Sequence, residues 1–184
     1  MPNWKPIVGL AFNQDEFESY CHTIQWSAFK PKFIVLHNTG LPTLNMRPEG
    51  FTLQHIQNLV HYYRDELKWS AGPHLFIDDH KIWVFTPLNM SGIHANSWNK
   101  LSLGVEILGD YDKDIFSQGR GLAVRKNAIA ALASLHTVLG IDVSTLKFHK
   151  EEPNTTHKNC PGKNVIKQEV IAEVKDLISK RKGA

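Results

Sequence analysis

Along this chain, short apolar runs rich in β-branched residues alternate with amphipathic helical patterns, and this alternation restricts the possible folds more than any other feature. The strand-like segments are KFIVLHNTG at residues 32–40, the hairpin HLFIDDHKIWVF at 74–85, LSLGVEILG at 101–109 and LKFH at 146–149. The helical patterns cover residues 13–26, 51–67, 125–140 and 164–180. Strands that alternate with helices predict an α/β fold, and the hairpin favours a mixed sheet. We therefore expect a mixed central β-sheet flanked by α-helices.

Capping residues mark several of the helix ends. Asn13 and Glu16 have the spacing of a capping box before the first helix, Thr52 precedes the second, and Gly140 ends the third. The predicted inner stripe of the second helix consists of Leu53, Ile56, Val60, Tyr63 and Leu67.

No internal repeat or low-complexity linker divides the chain. We expect one domain over residues 1–184. It would comprise core motifs at 33–165, an N-terminal extension with a helix at 1–30 and a C-terminal helix at 163–181.

The composition is that of a globular protein. Of the 184 residues, 42% are hydrophobic and 21% are charged, so one domain of this size can bury a core without disulfides. The net charge of +3 gives little indication of an anionic partner, and we expect no nucleic-acid partner. The two cysteines, Cys21 and Cys160, form no disulfide framework, which is typical of a protein made in a reducing compartment.

The N-terminal sequence lacks the pattern of a Sec signal peptide. Its longest apolar run, Ile7 to Phe12, is short, and acidic residues follow it. No stretch approaches the ~20 apolar residues that a membrane span requires. We therefore expect a protein that is made in the cytoplasm and has no membrane span. We also expect a monomer.

A polar loop, FHKEEPNTTHKNCPG at residues 148–162, contains residue types that bind metals. Catalytic zinc commonly takes three ligands from His, Cys, Asp and Glu and keeps one position open. His149 ends one strand, His37 ends another, and Cys160 lies in the loop. Strand ends beside loops are where α/β proteins place reactive groups. Taken singly, each of the three residues fits a structural role; taken together, they predict a zinc site.

Glu106 lies in the strand LSLGVEILG, on the same face as Ser102 and Gly104. A carboxylate at this position must be paired or face a cavity, because burying it alone is costly. The small neighbours predict room for a ligand over this face. The alternative is a solvent-facing glutamate on an edge strand.

Lys158 lies two residues before Cys160, so in an extended loop both side chains point the same way. Its charge could then stabilise an oxyanion, whereas a lysine without such a neighbour would be a solvated surface residue. His94, in the segment SGIHANSWN, could hydrogen-bond a substrate from an adjacent loop. We assign structural or surface roles to Cys21, His22, His61, His136 and His157.

Four motifs, which occur in the order VLHNTG, SAGPHLFIDD, GIHANSWNKLSLGVEILGDY and FHKEEPNTTHKNCPGKN, resemble those of a known family. They are similar to the zinc-dependent N-acetylmuramoyl-L-alanine amidases of the amidase-2 group. This group shares its fold with peptidoglycan recognition proteins and small phage lysins. The resemblance runs from about Phe33 to Val165 and implies the same fold.

The resemblance also implies roles for individual residues. His37, His149 and Cys160 would bind one Zn²⁺ per chain, and Glu106 and Lys158 would form the catalytic pair. His94 and Asn38 would bind substrate in the groove. The implied partner is peptidoglycan or its muropeptides, met in the cytoplasm or reached by phage-type release to the cell wall.

One position departs from the family pattern. Some members carry a catalytic tyrosine directly before the histidine of the first hairpin strand, whereas here Pro73 precedes His74. A mechanism that depends on that tyrosine is therefore in doubt, and Glu106 would carry more of the reaction.

Two other functions stay open. The first is a module that binds peptidoglycan without cutting it, although recognition proteins that have lost catalysis generally lack the cysteine ligand that Cys160 supplies here. The second is a cysteine hydrolase with Cys160 as nucleophile and His149 or His37 as base. Pro161, directly after the cysteine, fits poorly with a nucleophile at the start of a helix.

Overall fold

The computed structural model describes residues 3–26 and 29–183. Residues 1–2 and 27–28 of the predicted N-terminal extension, and residue 184, lie outside the described residues. Within the described ranges, six strands form one sheet: β1 (Leu10–Phe12), β2 (Phe33–Asn38), β3 (Leu75–Ile77), β4 (Ile82–Val84), β5 (Ser102–Ile107) and β6 (Lys147–Phe148). The predicted mixed sheet with flanking helices is confirmed.

The helices of the same ranges are α1 (Gln14–Thr23), α2 (Leu53–His61), α3 (Gly119–Leu139) and α4 (Lys167–Gly183). A π-helical turn, Tyr62–Glu66, continues α2. Short 3₁₀ turns occupy Asn96–Trp98, Val143–Thr145 and His149–Glu151. None of the described helices combines the length and the apolar content that crossing a membrane requires.

The strands lie in the order β1-β4-β3-β5-β2-β6. β3, β5, β2 and β6 run parallel to one another, whereas β4 pairs antiparallel with both β3 and β1. Parallel neighbours bring their carboxyl ends to the same edge, where α/β folds place binding sites. β5 lies inside the sheet, which excludes the alternative of Glu106 on an edge strand.

The main core packs around one side of the sheet. α3 contacts both α1 and α4 and lies against β3 and β4. Leu103, Val105 and Ile107 of β5 are fully buried in this core. Because side chains alternate along a strand, the intervening residues Gly104 and Glu106 point to the opposite face.

The predicted capping residues act as expected. The Asn13 side chain accepts from the Glu16 N–H at 2.9 Å, and the Glu16 carboxylate accepts from the Asn13 N–H at 2.8 Å. The Thr52 hydroxyl accepts from the His55 N–H at 3.3 Å. Gly140 ends α3 with a φ of +64°, a conformation that glycine adopts at low cost.

Two elements differ from the prediction. The N-terminal extension contains β1, whose three residues are too few to show a periodic pattern. α3 begins at Gly119 rather than at Arg125, because glycines weaken the helical pattern of its first turn. One of them, Gly121, approaches Ile115 so closely that a Cβ would lie 2.1 Å from the Ile115 carbonyl oxygen.

Candidate metal centre

The register of the sheet places the candidate residues in one row at the carboxyl edge of the parallel strands. His37 of β2 lies beside Glu106 of β5, which lies beside Phe76 of β3. His149 directly follows β6, the other neighbour of β2. Residues in such a row point to the same face. His149, His37 and Glu106 therefore line one cleft.

Three potential metal ligands converge in this cleft. One side-chain ligand atom from each of His37, His149 and Cys160 lies within 4.8 Å of the other two. The loop that carries Cys160 folds back on the strand end, and its Cys160 carbonyl accepts from the Lys150 N–H at 3.0 Å. In the described part of the chain, this is the one cluster of three or more such ligands.

The two histidines are held as neutral imidazoles. Burial, with smaller contributions from neighbouring histidines, lowers the pKa of His37 well below its usual range. Burial and the neighbour His157 lower the pKa of His149 to about 4. The His149 Nε2 atom lies 3.1 Å from Thr155 Oγ1. A neutral imidazole carries the lone pair that a metal ion requires.

Both cysteines are free, and Cys160 faces the cleft. Burial raises the pKa of its thiol, the charge of Glu106 raises it further, and a hydrogen bond from the Asn38 backbone N–H opposes them. Reactive cysteines have lowered pKa values, so this thiol is a poor nucleophile. A bound metal deprotonates a coordinating thiol. The environment of Cys160 therefore suits a ligand better than a nucleophile.

Glu106 is the acidic group of the cleft. Its side chain is 16% exposed, and its Oε1 lies 3.8 Å from His37 Nδ1. Burial raises the pKa of Glu106 to about 8. A carboxyl group with a pKa close to neutrality can both accept and donate a proton under physiological conditions.

The cleft has a volume of about 380 Å³, which is within the roughly 300–1,000 Å³ of small-molecule sites. Its base carries the polar row, and its wall is apolar. The wall is formed by Leu41, Pro42, Phe51, Leu59, Tyr62, Tyr63, Leu67, Trp69, Pro73 and Phe76. The arrangement suits a ligand that has a reacting polar group and an apolar portion.

His94 lies beside His37 and also lines the cleft. It is 7% exposed, and its Nδ1 lies 3.0 Å from His37 Nε2. Its Nε2 lies 3.3 Å from the Ser102 carbonyl oxygen. Both ring nitrogens are thus engaged with protein atoms, which favours a supporting role over the predicted contact with substrate. The room that small residues predicted over β5 is filled by this ring, because a Cβ on Gly104 would lie 2.3 Å from His94 Cγ.

The family model described as N-acetylmuramoyl-L-alanine amidase, of the amidase-2 group, matches residues 27–163. The chain belongs to this amidase family. The match covers the candidate ligands and Glu106.

Known proteins similar to this amidase-family chain include peptidoglycan-recognition proteins and endolysin amidases. Peptidoglycan-recognition protein SC2 of Drosophila melanogaster is 25% identical over 135 residues, covering 72% of this chain and 69% of that protein. The endolysin amidase LysCS from Clostridium intestinale superimposes with a TM-score of 0.63 at 24% identity, covering 83% of this chain and 91% of that one. A Drosophila PGRP-LB mutant in complex with tracheal cytotoxin superimposes with a TM-score of 0.58 at 22% identity, covering 77% and 82%. These structural matches confirm the predicted amidase-2 fold.

Tyr63 and Trp69 belong to the cleft wall of this amidase-family chain, where the sequence pattern predicted only an inner helical stripe. α2 passes into a π turn at Tyr62, which shifts the register of the following side chains. Leu53 and Leu67, predicted for the same stripe, are exposed. The Tyr63 ring stacks on Trp69 with centroids 5.2 Å apart. No local sequence pattern signals such a shift.

His157 is a second residue whose position the sequence did not indicate. Predicted to be structural or on the surface, it is exposed but stacks on His149, with ring centroids 4.9 Å apart, and lines the cleft. Thr155, whose hydroxyl meets His149 Nε2, also accepts from the His157 N–H at 3.1 Å. The loop thus supports His149 as well as supplying Cys160.

The structure separates Lys158 from Glu106. The loop turns at this point, with the Cys160 N–H donating to the His157 carbonyl at 3.3 Å, so it is not the extended segment that the prediction assumed. Lys158 is exposed and lines a shallow depression beside the cleft. It would have to rotate to reach a substrate in front of Glu106.

Asn38 lines both the cleft and the neighbouring depression. Its side-chain amide donates to the Gly109 carbonyl at 3.1 Å, and its backbone N–H faces the Cys160 sulfur. The predicted substrate contact of Asn38 stays a prediction. In this structure, its two hydrogen bonds hold the strand end and the thiol.

Gly104→Ala is expected to lower the free energy of unfolding by roughly 1–3 kcal/mol, because the added Cβ would overlap the buried His94 ring. Urea denaturation of the parent and the variant measures the difference. In a His94→Ala background the obstacle is removed, so the same glycine substitution should cost much less. Equal costs in the two backgrounds would show that His94 is not the limiting contact.

Proposed function

We propose that this amidase-family protein is a zinc-dependent hydrolase that cleaves the amide between N-acetylmuramic acid and L-alanine in peptidoglycan or its fragments. The observation that carries the proposal is one cleft with two kinds of group at its base. His37, His149 and Cys160 present ligand atoms within 4.8 Å of one another. The Oε1 atom of Glu106 lies 3.8 Å from Nδ1 of His37.

The donor set fits zinc. Two neutral imidazoles and one thiol are ligands that zinc prefers, and three protein ligands leave one position open for catalysis. When bound, zinc would supply a Lewis acid that polarises the scissile carbonyl and lowers the pKa of water. The near-absence of other charged groups from the cleft would strengthen these electrostatic effects.

Glu106 would move the proton of the reaction. Its carboxylate accepts a proton from the attacking water as the oxygen bonds to the carbonyl carbon, and the proton then passes to the nitrogen as the C–N bond breaks. A pKa of about 8, raised by burial, suits the second of these steps. Pro73 in the cleft wall provides no hydroxyl group at the position where some family members carry a catalytic tyrosine, and we assign the proton transfer to Glu106.

Lys158 would stabilise the charge that develops on the carbonyl oxygen, as the sequence predicts. Its exposed side chain lies in the depression next to Cys160, so this role requires the ammonium group to turn towards the cleft when substrate binds.

Recognition of peptidoglycan without cleavage is the second candidate, because the curated relatives include peptidoglycan-recognition proteins. The complete His, His and Cys set together with Glu106 favours catalysis over binding alone. A cysteine hydrolase is disfavoured, because burial raises the pKa of Cys160, and because the lowered pKa values of His37 and His149 make them weak bases.

Digestion of purified muropeptides, followed by mass spectrometry, tests the proposal. We expect free peptides that begin with L-alanine, intact glycan and no product after treatment with a chelator. Restoration of activity by added zinc is the control for chelator damage. New reducing sugar ends would identify a glycosidase instead, and binding without any product would identify a recognition module.

A further inference from the structure

His94 is buried against the ring of His37 and also lines the cleft. The two rings meet nearly edge to face, with centroids 5.2 Å apart and an interplanar angle of 88°. Gly104 provides the space for the His94 ring. Asn99 fixes the backbone, since its Oδ1 accepts from the N–H groups of His94 and Ala95 at 2.8 and 2.9 Å. Few alternative ring positions are left.

The hydrogen-bond partners of His94 determine where its proton lies. A carbonyl oxygen only accepts, so the Nε2 atom that lies 3.3 Å from the Ser102 carbonyl must carry the hydrogen. The Ser102 hydroxyl is 3.5 Å from the same Nε2 and uses its own hydrogen on the Trp98 carbonyl at 2.8 Å, so it too can only accept. In a neutral ring, Nδ1 is then the acceptor.

The tautomer of His37 follows from that of His94. Since His94 Nδ1 accepts, His37 Nε2 must carry a hydrogen and donate it across the 3.0 Å contact. The lone pair of His37 is consequently on Nδ1. This nitrogen lies 3.8 Å from Glu106 Oε1, on the side of the cleft. The chain of contacts therefore presents one defined nitrogen to a metal ion.

We propose that His94 is a positioning residue for the metal site: it holds His37 in the tautomer and orientation in which Nδ1 is the ligand. The inference rests on the proposed zinc site and goes beyond it by assigning the group that supports one ligand. Ligating histidines usually donate their second N–H to a carboxylate, a carbonyl or water. Here the acceptor is a second buried imidazole, which adds no negative charge to the donor set.

A third histidine holds this arrangement from behind. His74 Nδ1 accepts from the Gly104 N–H at 2.9 Å, and its Nε2 donates to the Met90 carbonyl at 2.9 Å. Its ring packs edge to face with His94 at 5.7 Å. Both nitrogens of His74 are satisfied, so its contribution is to fix the backbone of Gly104 beneath the His94 ring.

Two substitutions of His94 separate the acceptor from the volume of the ring. His94→Leu fills much of the space but cannot accept from His37, and should weaken zinc binding by about 10–100-fold. His94→Asn places an amide oxygen near the position of Nδ1, and should retain most of the affinity. Competition with a chromophoric chelator measures zinc affinity without substrate. His136→Leu, at a buried histidine of α3, is the matched control and should leave zinc affinity unchanged.

Long-range ¹H–¹⁵N correlation spectra of the histidine rings give a readout that needs neither activity nor zinc. The chelator-treated parent and His94→Asn should show His37 protonated at Nε2, and His94→Leu should show a mixture of tautomers. If His94→Leu left both the tautomer of His37 and the zinc affinity unchanged, the positioning role of His94 would be refuted, whereas the zinc site would stand. A parent protein that binds no zinc would overturn the metal assignment together with the inference.

Discussion

Replacement of Glu106 by glutamine is expected to lower the turnover of muropeptides by about 10²–10⁴-fold while zinc stays bound. The side chain projects from the interior strand β5 into the cleft, where its Oε1 lies 3.8 Å from His37 Nδ1. Glutamine preserves the shape of the side chain but cannot take a proton from the attacking water. Steady-state kinetics and elemental analysis on the same preparation measure both properties. Turnover within about threefold of the parent would exclude Glu106 as the general base.

The stability of this variant provides an independent check on its fold. Burial raises the pKa of Glu106 to about 8 from its ordinary 4.5, so between these values the folded state holds more protons than the unfolded chain. The contribution of Glu106 to the free energy of unfolding is therefore fully present below about pH 4.5 and is lost as the pH rises to about 8. After removal of metal, Glu106→Gln should be at least as stable as the parent at pH 8. Glu66→Gln, the same change at an exposed position, is the control for activity.

The elements that could be predicted from the sequence are those whose pattern is local. The capping box of α1, the glycine that ends α3 and the apolar runs of β2 and β5 each depend on residues a few positions apart. β1 is stabilised by pairing with β4, and the π turn after α2 by the packing of its side chains. Neither leaves a periodic pattern, because both depend on contacts between distant parts of the chain.

The candidate site was predictable in its residue types and only partly in its arrangement. Strand ends identified His37 and His149, since the carboxyl edge of a parallel sheet collects such residues. The prediction for Lys158 assumed an extended loop, whereas hydrogen bonds within the loop make it turn. The place of His94 depends on the missing Cβ of Gly104, which a sequence shows only as a small residue.

Cys160→Ser is expected to reduce zinc affinity by more than the roughly 10–100-fold that loss of a supporting partner causes, because it removes a ligand itself. A hydroxyl group is a much poorer zinc ligand than a thiolate. Activity should fall in parallel and recover in part when excess zinc is added. Chelator competition and muropeptide hydrolysis, measured on one preparation, follow the two effects. Cys21→Ala, which removes the other free thiol from the core, should change neither.

The same variant distinguishes a metal ligand from a thiol nucleophile. For a ligand, zinc affinity and activity decline together, and bound zinc protects the Cys160 thiol of the parent from alkylation. For a nucleophile, activity would disappear while zinc affinity stays that of the parent, and chelators would leave the parent active. Burial raises the pKa of Cys160, and the neutral histidines beside it are lone-pair donors rather than cations that would stabilise a thiolate. We therefore expect the first pattern, and the second would refute the metal site.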